Sequence, residues 1–168
     1  IGELLALREK DIDWDKKIIS VNATYDYREK NRGDTKTLHS YRTVQVTDFV
    51  INLIKETIVE NHRRFDKETL KKNKENYIFI TKTGYPQTAP SIYNMLVSTG
   101  YKLGFNRNIT PHTLRHSHIS LLAELGVPFK QIMQRVGHAD AKITMKIYTH
   151  VTYNMKLSLS EKLEDIKL

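Results

Sequence analysis

A chain of 168 residues is long enough to bury one substantial core, and 39% hydrophobic against 27% charged residues is the balance of a soluble globule. It has no cysteine, which excludes disulfides and thiolate chemistry and would leave any zinc to histidine and carboxylate ligands; no apolar run approaches a membrane span. The net charge of +8 suits a polyanionic partner, either nucleic acid or an anionic membrane, without choosing between them.

In chain order, "IGELLALREKDIDW" begins without Met and reads as a helix already under way, with Leu4, Leu5 and Leu7 apolar and no capping residue. The chain is therefore expected to be a piece of something longer. "KKIISVNATYDY" (residues 16–27) is β-rich and reads as one strand leading into a second. Arg32-Gly33-Asp34 is a turn signal, and Val44 and Val46 alternate with Thr43 and Gln45 as a strand should. Together these predict a small antiparallel sheet of about three strands, with Lys36 near a hairpin bend.

Thr47 can cap the next helix, whose predicted apolar stripe is Phe49, Val50, Leu53, Ile54, Thr57 and Ile58. Residues 61–82 carry seven Lys or Arg against three acids, a local +4. They read mainly as a solvated loop, with Tyr77 to Ile80 as a short buried segment. A helix over "TAPSIYNMLVSTGYKLG" turns Ile92, Met95 and Leu96 inward. In "ITPHTLRHSHISLLAELG", Thr110 is the N-cap, Pro111 sits at the first helical position and Gly126 is the stop. Pro128 and Gly137 bracket another helix with Ile132, Met133 and Val136 as its stripe. "ITMKIYTH" is then a short helix ending near Tyr148, and "NMKLSLSEKLEDIKL" a final amphipathic one. The fold class is α+β, mainly helical, without parallel βαβ alternation.

The polar first turn of the "PHTLRHSH" helix is the strongest chemical signal. His112 and His116 have acceptable zinc-ligand spacing. However, Arg115 places a fixed cation on the same side as His112, and the glutamate of a metal-hydrolase helix is absent. An anion fits better: Arg115 can hold two phosphate oxygens, His112 can donate or move a proton, and the helix N-terminus adds a positive field. His116 and His118 read as packing or supporting residues. Downstream, Tyr148 lies ten residues after His138, near enough to cations for its phenolate to be stabilised as a nucleophile. No Ser-His-Asp set or paired carboxylates compete with it. Lys36 can enter a groove, protonate a leaving oxygen or simply be a solvated turn lysine.

These segments together resemble the catalytic domain of the tyrosine recombinases, in particular the integrases of phages and conjugative transposons. "IGELLAL" is similar to the segment after the family's first catalytic arginine. "TKTLHSYRTVQV" is similar to its catalytic hairpin, "PHTLRHSH" to its His-x-x-Arg box and "VGHADAKITMKIYTH" to its closing motif. The resemblance implies a tyrosine-recombinase catalytic fold and a DNA-breaking and rejoining enzyme that needs no cofactor and no metal. Its catalytic residues would be Tyr148, Arg115, His112, Lys36 and His138, supported by Glu3, with DNA contacts from Lys36, Arg42 and Arg135. It implies double-stranded DNA attachment sites as substrate, a tetramer on DNA, no membrane, and a bacterial or phage-encoded protein acting in the cytoplasm.

In the family the first arginine stands one residue ahead of the Gly-Glu pair; here that places it just before Ile1. Arg8, two turns further along the predicted helix, is no substitute. Residues 1–168 are thus expected to be one catalytic domain without its N-terminal DNA-binding modules and inert by themselves. The tail from residue 149 onward has apolar spacing (Leu157, Leu159, Leu163, Ile166) that fits packing on a neighbouring protomer and on its own domain equally well. One rival is a non-catalytic helix-turn-helix-like DNA-binding domain, since "ISLLAELGVPFKQIMQRVGH" reads as helix, glycine turn, helix. That rival offers few base-reading side chains (Gln131, Gln134, Arg135) and leaves Tyr148 and the hairpin unexplained. A structural or protein-binding role would show a flat apolar face and no basic cleft around Arg115.

Overall fold

The computed structural model describes residues 1–34, 41–137 and 141–164, with side chains apart from those of residues 34 and 158–164. The chain groups into two compact units, Ile1–Asn108 and Ile109–Leu168. The first contains α1 (Gly2–Leu5), a 3₁₀ turn (Glu9–Asp11), and strands β1 (Ile12–Asp13), β2 (Ile18–Val21), β3 (Ala23–Asp26), β4 (Asn31–Asp34) and β5 (Arg42–Gln45). Helices α2 (Asp48–Arg64), α3 (Lys67–Lys72) and α4 (Ala89–Lys102) complete it. The fold is α+β and mainly helical, with a three-stranded antiparallel sheet in the order β1-β2-β5; β3 and β4 form a separate antiparallel pair. In the main sheet Ile19 stands opposite both Ile12 and Val44.

The opening helix is much shorter than its apolar spacing suggested. It ends at Leu5 because the next residues are needed elsewhere: the Leu7 carbonyl accepts from Ile78 N at 3.1 Å, and Arg8 is extended and bridges Tyr77. Leu5 and Leu7 consequently enter different cores. Leu5 joins Ala6, Ala23 and Tyr25, with Tyr77 and Ile92 against them, while Leu7 joins Ile12, Ile51, Ile54 and Ile78. Arg8 therefore lies off the helix; its guanidinium donates to Asp11 (3.1 Å) and Glu75 (2.8 Å).

Arg32-Gly33-Asp34 is strand, not turn. The reversal lies just before it, where Asp26 Oδ1 accepts from Arg28 N at 2.8 Å and Lys30 takes a left-handed φ of 52°. Arg32 must lie on the strand to reach the Ala6 carbonyl and the Asn22 side chain.

The buried face of α2 is rotated from the expected stripe. Ile51 and Ile54 are buried, with Val50 and Ile58 beside them, while Phe49 is 71% exposed and Leu53 46%. Two overlapping apolar sets were available, and the face carrying Asn61, which donates to the Ile78 carbonyl at 2.8 Å, is the one that packs. Thr47 occupies the N-cap position without a side-chain cap bond. Residues 61–82 are more ordered than a loop: α2 runs to Arg64, and Asp66 caps α3 by accepting from Thr69 N at 2.7 Å. Ile78 and Ile80 are buried as expected. In α4, Ile92 packs inward, but Met95 is 53% exposed.

The second unit is three helices, α5 (Pro111–Glu124), α6 (Phe129–Val136) and α7 (Ala141–Glu164). Gly126 (φ 75°) and Gly137 (φ 88°) end the first two in the left-handed half of backbone space, where a Cβ is disfavoured. Ile119, Ala123, Ile132 and Val136 form the core, covered by Leu122, Val127, Ile147, Tyr148 and Val151. The two C-terminal helices expected from the sequence are one: α7 runs 24 residues without Gly or Pro, so Tyr148 lies inside a long helix, not near the end of a short one. No described helix is long and apolar enough to cross a membrane.

Candidate active site

The start of α5 is built by its own sequence. Thr110 Oγ1 accepts from Thr113 N at 3.1 Å and Thr113 Oγ1 from Thr110 N at 3.3 Å, a reciprocal cap, and Pro111 occupies the first turn, where its missing N–H costs nothing. His112 is exposed in that turn. Arg115, three residues on, is half-buried, and its Nη2 donates to the Val136 carbonyl at 2.6 Å and the Gly137 carbonyl at 3.5 Å. Those carbonyls close α6, whose C-terminal end carries partial negative charge, so the guanidinium is held by both hydrogen bonds and the helix field. A long side chain with many rotamers is thereby held in one place.

Tyr148 is half-buried on α7. Its ring meets Phe129 of α6 edge to face at 5.4 Å and lies against the core of the unit, and its carbonyl accepts from Thr152 Oγ1 at 2.9 Å. Helix α7 packs on both α5 and α6, so His112, Arg115 and Tyr148 belong to one three-helix body. One turn before Tyr148, Thr144 is fully buried and its hydroxyl has no hydrogen-bond partner among the described residues. Lys36 and His138 lie outside the described residues.

The other two histidines of α5 differ from each other. His116 is exposed. His118 is half-buried and its Nε2 accepts from Arg135 Nε at 3.1 Å; burial, and then the Arg135 charge, push its pKa down. Arg135, expected as a DNA contact, thus has an intramolecular partner; Gln131 and Gln134 beside it are exposed.

In the first unit, Glu3 meets Arg42 in a two-pronged ion pair with both contacts at 2.8 Å, which ties α1 to β5. The sequence had suggested each residue separately but not the pair, because a separation of 39 positions leaves no spacing signal. A second network was missed entirely. Asp11 is buried and takes hydrogen bonds from Arg8 and from Asn22 Nδ2 (2.9 Å), with Arg32 Nη2 3.6 Å away. Burial alone would raise the pKa of that carboxyl, but the hydrogen bonds from Arg8 and Asn22 outweigh it and hold it low. Only the three-residue step from Arg8 to Asp11 was visible beforehand. Among the described residues no group of three His, Cys, Asp or Glu is placed to hold a metal.

Comparison with known proteins places these features in a wider set. The phage integrase family model matches residues 1–155. The chain is 41% identical to an integrase of Staphylococcus phage L54a, over 99% of this chain and 48% of that protein. It is 36% identical to a probable prophage ps2 integrase of Lactococcus lactis (95% and 43%), and 31% identical to a XerC-like tyrosine recombinase of Caldanaerobacter subterraneus (98% and 46%). It spans about half the length of these relatives. Among solved structures, the Tn1549 transposon integrase in complex with transposon right-end DNA superposes with a TM-score of 0.73 at 22% identity, over 97% of this chain and 54% of that one. The XerA recombinase superposes with 0.69 at 23% identity, over 94% and 52%, and both share this fold.

Proposed function

Because the chain belongs to the phage integrase family, we propose that it supplies the chemistry of a site-specific recombinase, cutting and rejoining duplex DNA through a tyrosine. The phenolic oxygen of Tyr148 attacks the scissile phosphorus, the bond from phosphorus to the 5′-oxygen breaks, and a 3′-phosphotyrosyl ester remains. His112 takes up the phenol proton and Lys36 gives one to the leaving 5′-oxygen. Arg115 and His138 donate to the nonbridging oxygens as charge gathers on them. Attack by the 5′-hydroxyl of a second strand reverses these steps, so the ester conserves the bond energy and no nucleotide is consumed.

The observation that carries this reading is the anchoring of Arg115 on the last carbonyls of α6, within the same three-helix body as Tyr148. A preset guanidinium is what an electrostatic catalyst needs, because reorganisation during the reaction would cost rate. Glu3 serves as a positioning residue by holding Arg42, which in turn can face the DNA backbone from β5. The substrate is duplex DNA carrying attachment sites, and the working assembly is a tetramer on that DNA, in the cytoplasm and away from membranes.

The protein, expressed with whatever upstream sequence its reading frame supplies, is incubated with a duplex nicked beside the scissile phosphate, which traps the covalent adduct. An adduct should form and disappear in Tyr148→Phe. Arg115→Lys should slow its formation about a hundredfold or more, as loss of a preset transition-state donor does. An adduct that persists in Tyr148→Phe would overturn the nucleophile assignment.

A further inference from the structure

Helices α5 and α6 are joined by two arginine contacts that run in opposite directions. Arg115 of α5 donates to the carbonyls of Val136 and Gly137 at the end of α6. Arg135 of α6, next to Val136 in the chain, donates from Nε to Nε2 of His118, 3.1 Å away and three residues beyond Arg115 on α5. Residues three apart share a helix face, so the two contacts are neighbouring parts of one clamp.

The chemistry of this clamp is one-sided. An arginine side chain carries only donors and remains protonated throughout the physiological range. His118 Nε2 must therefore present its lone pair, so the imidazole is neutral with its proton on Nδ1. A protonated imidazolium has a donor on both nitrogens; it would lose this bond and set two cations against each other. Of the other elements packed here, α6 presents the Arg135 guanidinium to His118. From α7, Tyr148 packs against the core of the unit, and Arg115 lies one turn back on α5 itself.

We propose that His118 is a positioning residue for the phosphate-binding arginine: as a neutral imidazole it fixes Arg135 and the last turn of α6, whose carbonyls hold Arg115. The role rests on Arg115 being the phosphate ligand proposed above, but the clamp itself is a property of the folded chain. Burial and the Arg135 charge both favour the neutral ring, so the clamp stays closed at neutral pH and opens on acidification below about 6.5, the ordinary histidine value. Opening would loosen the last turn of α6 and with it the Val136 and Gly137 carbonyls that receive Arg115.

The test follows hydrogen exchange at the Arg115 Nη2 protons, which make the carbonyl bonds, corrected for intrinsic exchange, in ¹⁵N-labelled protein without DNA, alongside the ring titration of His118. In the wild type, protection should fall about tenfold or more as pH is lowered from about 7.5 through the titration of His118, which lies below the ordinary histidine value. His118→Gln keeps an acceptor that does not titrate, so it should remain protected across the range. His118→Phe should be unprotected throughout, and Arg135→Met gives the same reading if the Phe variant does not fold. Wild-type protection that is indifferent to His118 protonation, or a His118→Gln variant that follows the wild-type curve, would overturn the proposal. Because DNA is absent, either result leaves the phosphotyrosyl reading standing; a persistent adduct in Tyr148→Phe would sink that reading and leave the clamp intact.

Discussion

Thr144 and Arg115 illustrate how differently two polar side chains can be treated within one helix bundle. Arg115 Nη2 has carbonyl partners, whereas the Thr144 hydroxyl is buried with none among the described residues, in a setting where an unmade hydrogen bond costs about 1–3 kcal/mol. Replacing the hydroxyl by a methyl group should recover part of that cost. Thr144→Val is expected to stabilise the protein by about 1 kcal/mol, raising its melting temperature by a few degrees in a thermal unfolding scan; a lower melting temperature would mean the hydroxyl has a role that the packing does not reveal. At this scale the sequence was informative where chemistry is local. His112 and Arg115 could be singled out because Thr110 and Pro111 fix where the helix starts, and hence which side chains occupy its first turn. The Glu3–Arg42 pair and the Arg135–His118 bond could not be read, since each joins separate elements and depends on how those elements pack.

At the level of elements, local signals were dependable and choices of face were not. Thr110, Pro111, Gly126, Pro128 and Gly137 all stand where the helix boundaries put them, because caps and stops depend on a few adjacent backbone groups. The inward face of α2 and the early end of α1 were decided instead by Ile78, to which Asn61 of α2 and Leu7, just past α1, are both hydrogen-bonded. Asp11 is the main tie between the 3₁₀ turn and the strands that follow. Its folded pKa lies below the unfolded value, so its contribution is fully present above about pH 4 and is lost as pH falls through the folded value. Asp11→Asn should cost about 3 kcal/mol at neutral pH by leaving Arg8 and Arg32 without their buried counter-charge. It should also flatten the acid limb of a stability-against-pH curve from urea titrations. An unchanged acid limb would place the acid sensitivity in other carboxylates.

For the molecule as a whole, the +8 charge left nucleic acid and anionic membranes both open, and it was the motif order, not the charge, that favoured DNA. Charge still sets how binding should respond to salt. A footprint of about three phosphates would weaken duplex binding about fortyfold between 50 and 200 mM salt. Fluorescence anisotropy with a labelled duplex measures this, and salt-independent binding would argue against a backbone-contacting surface. The unbroken length of α7 was hidden because "ITMKIYTH" and the residues after it can each be read as a complete short helix. With 24 residues rising about 1.5 Å each, it is a rod of roughly 36 Å. Tyr148 sits eight residues along it, and no Gly or Pro hinge separates that point from Glu164. A push or twist applied at the far end is therefore carried along the axis to the phenol with little loss, as through a lever. Whatever grips the end of this helix also steers its tyrosine, and cutting the rod between them, with a glycine pair in the middle of the span, would uncouple the two.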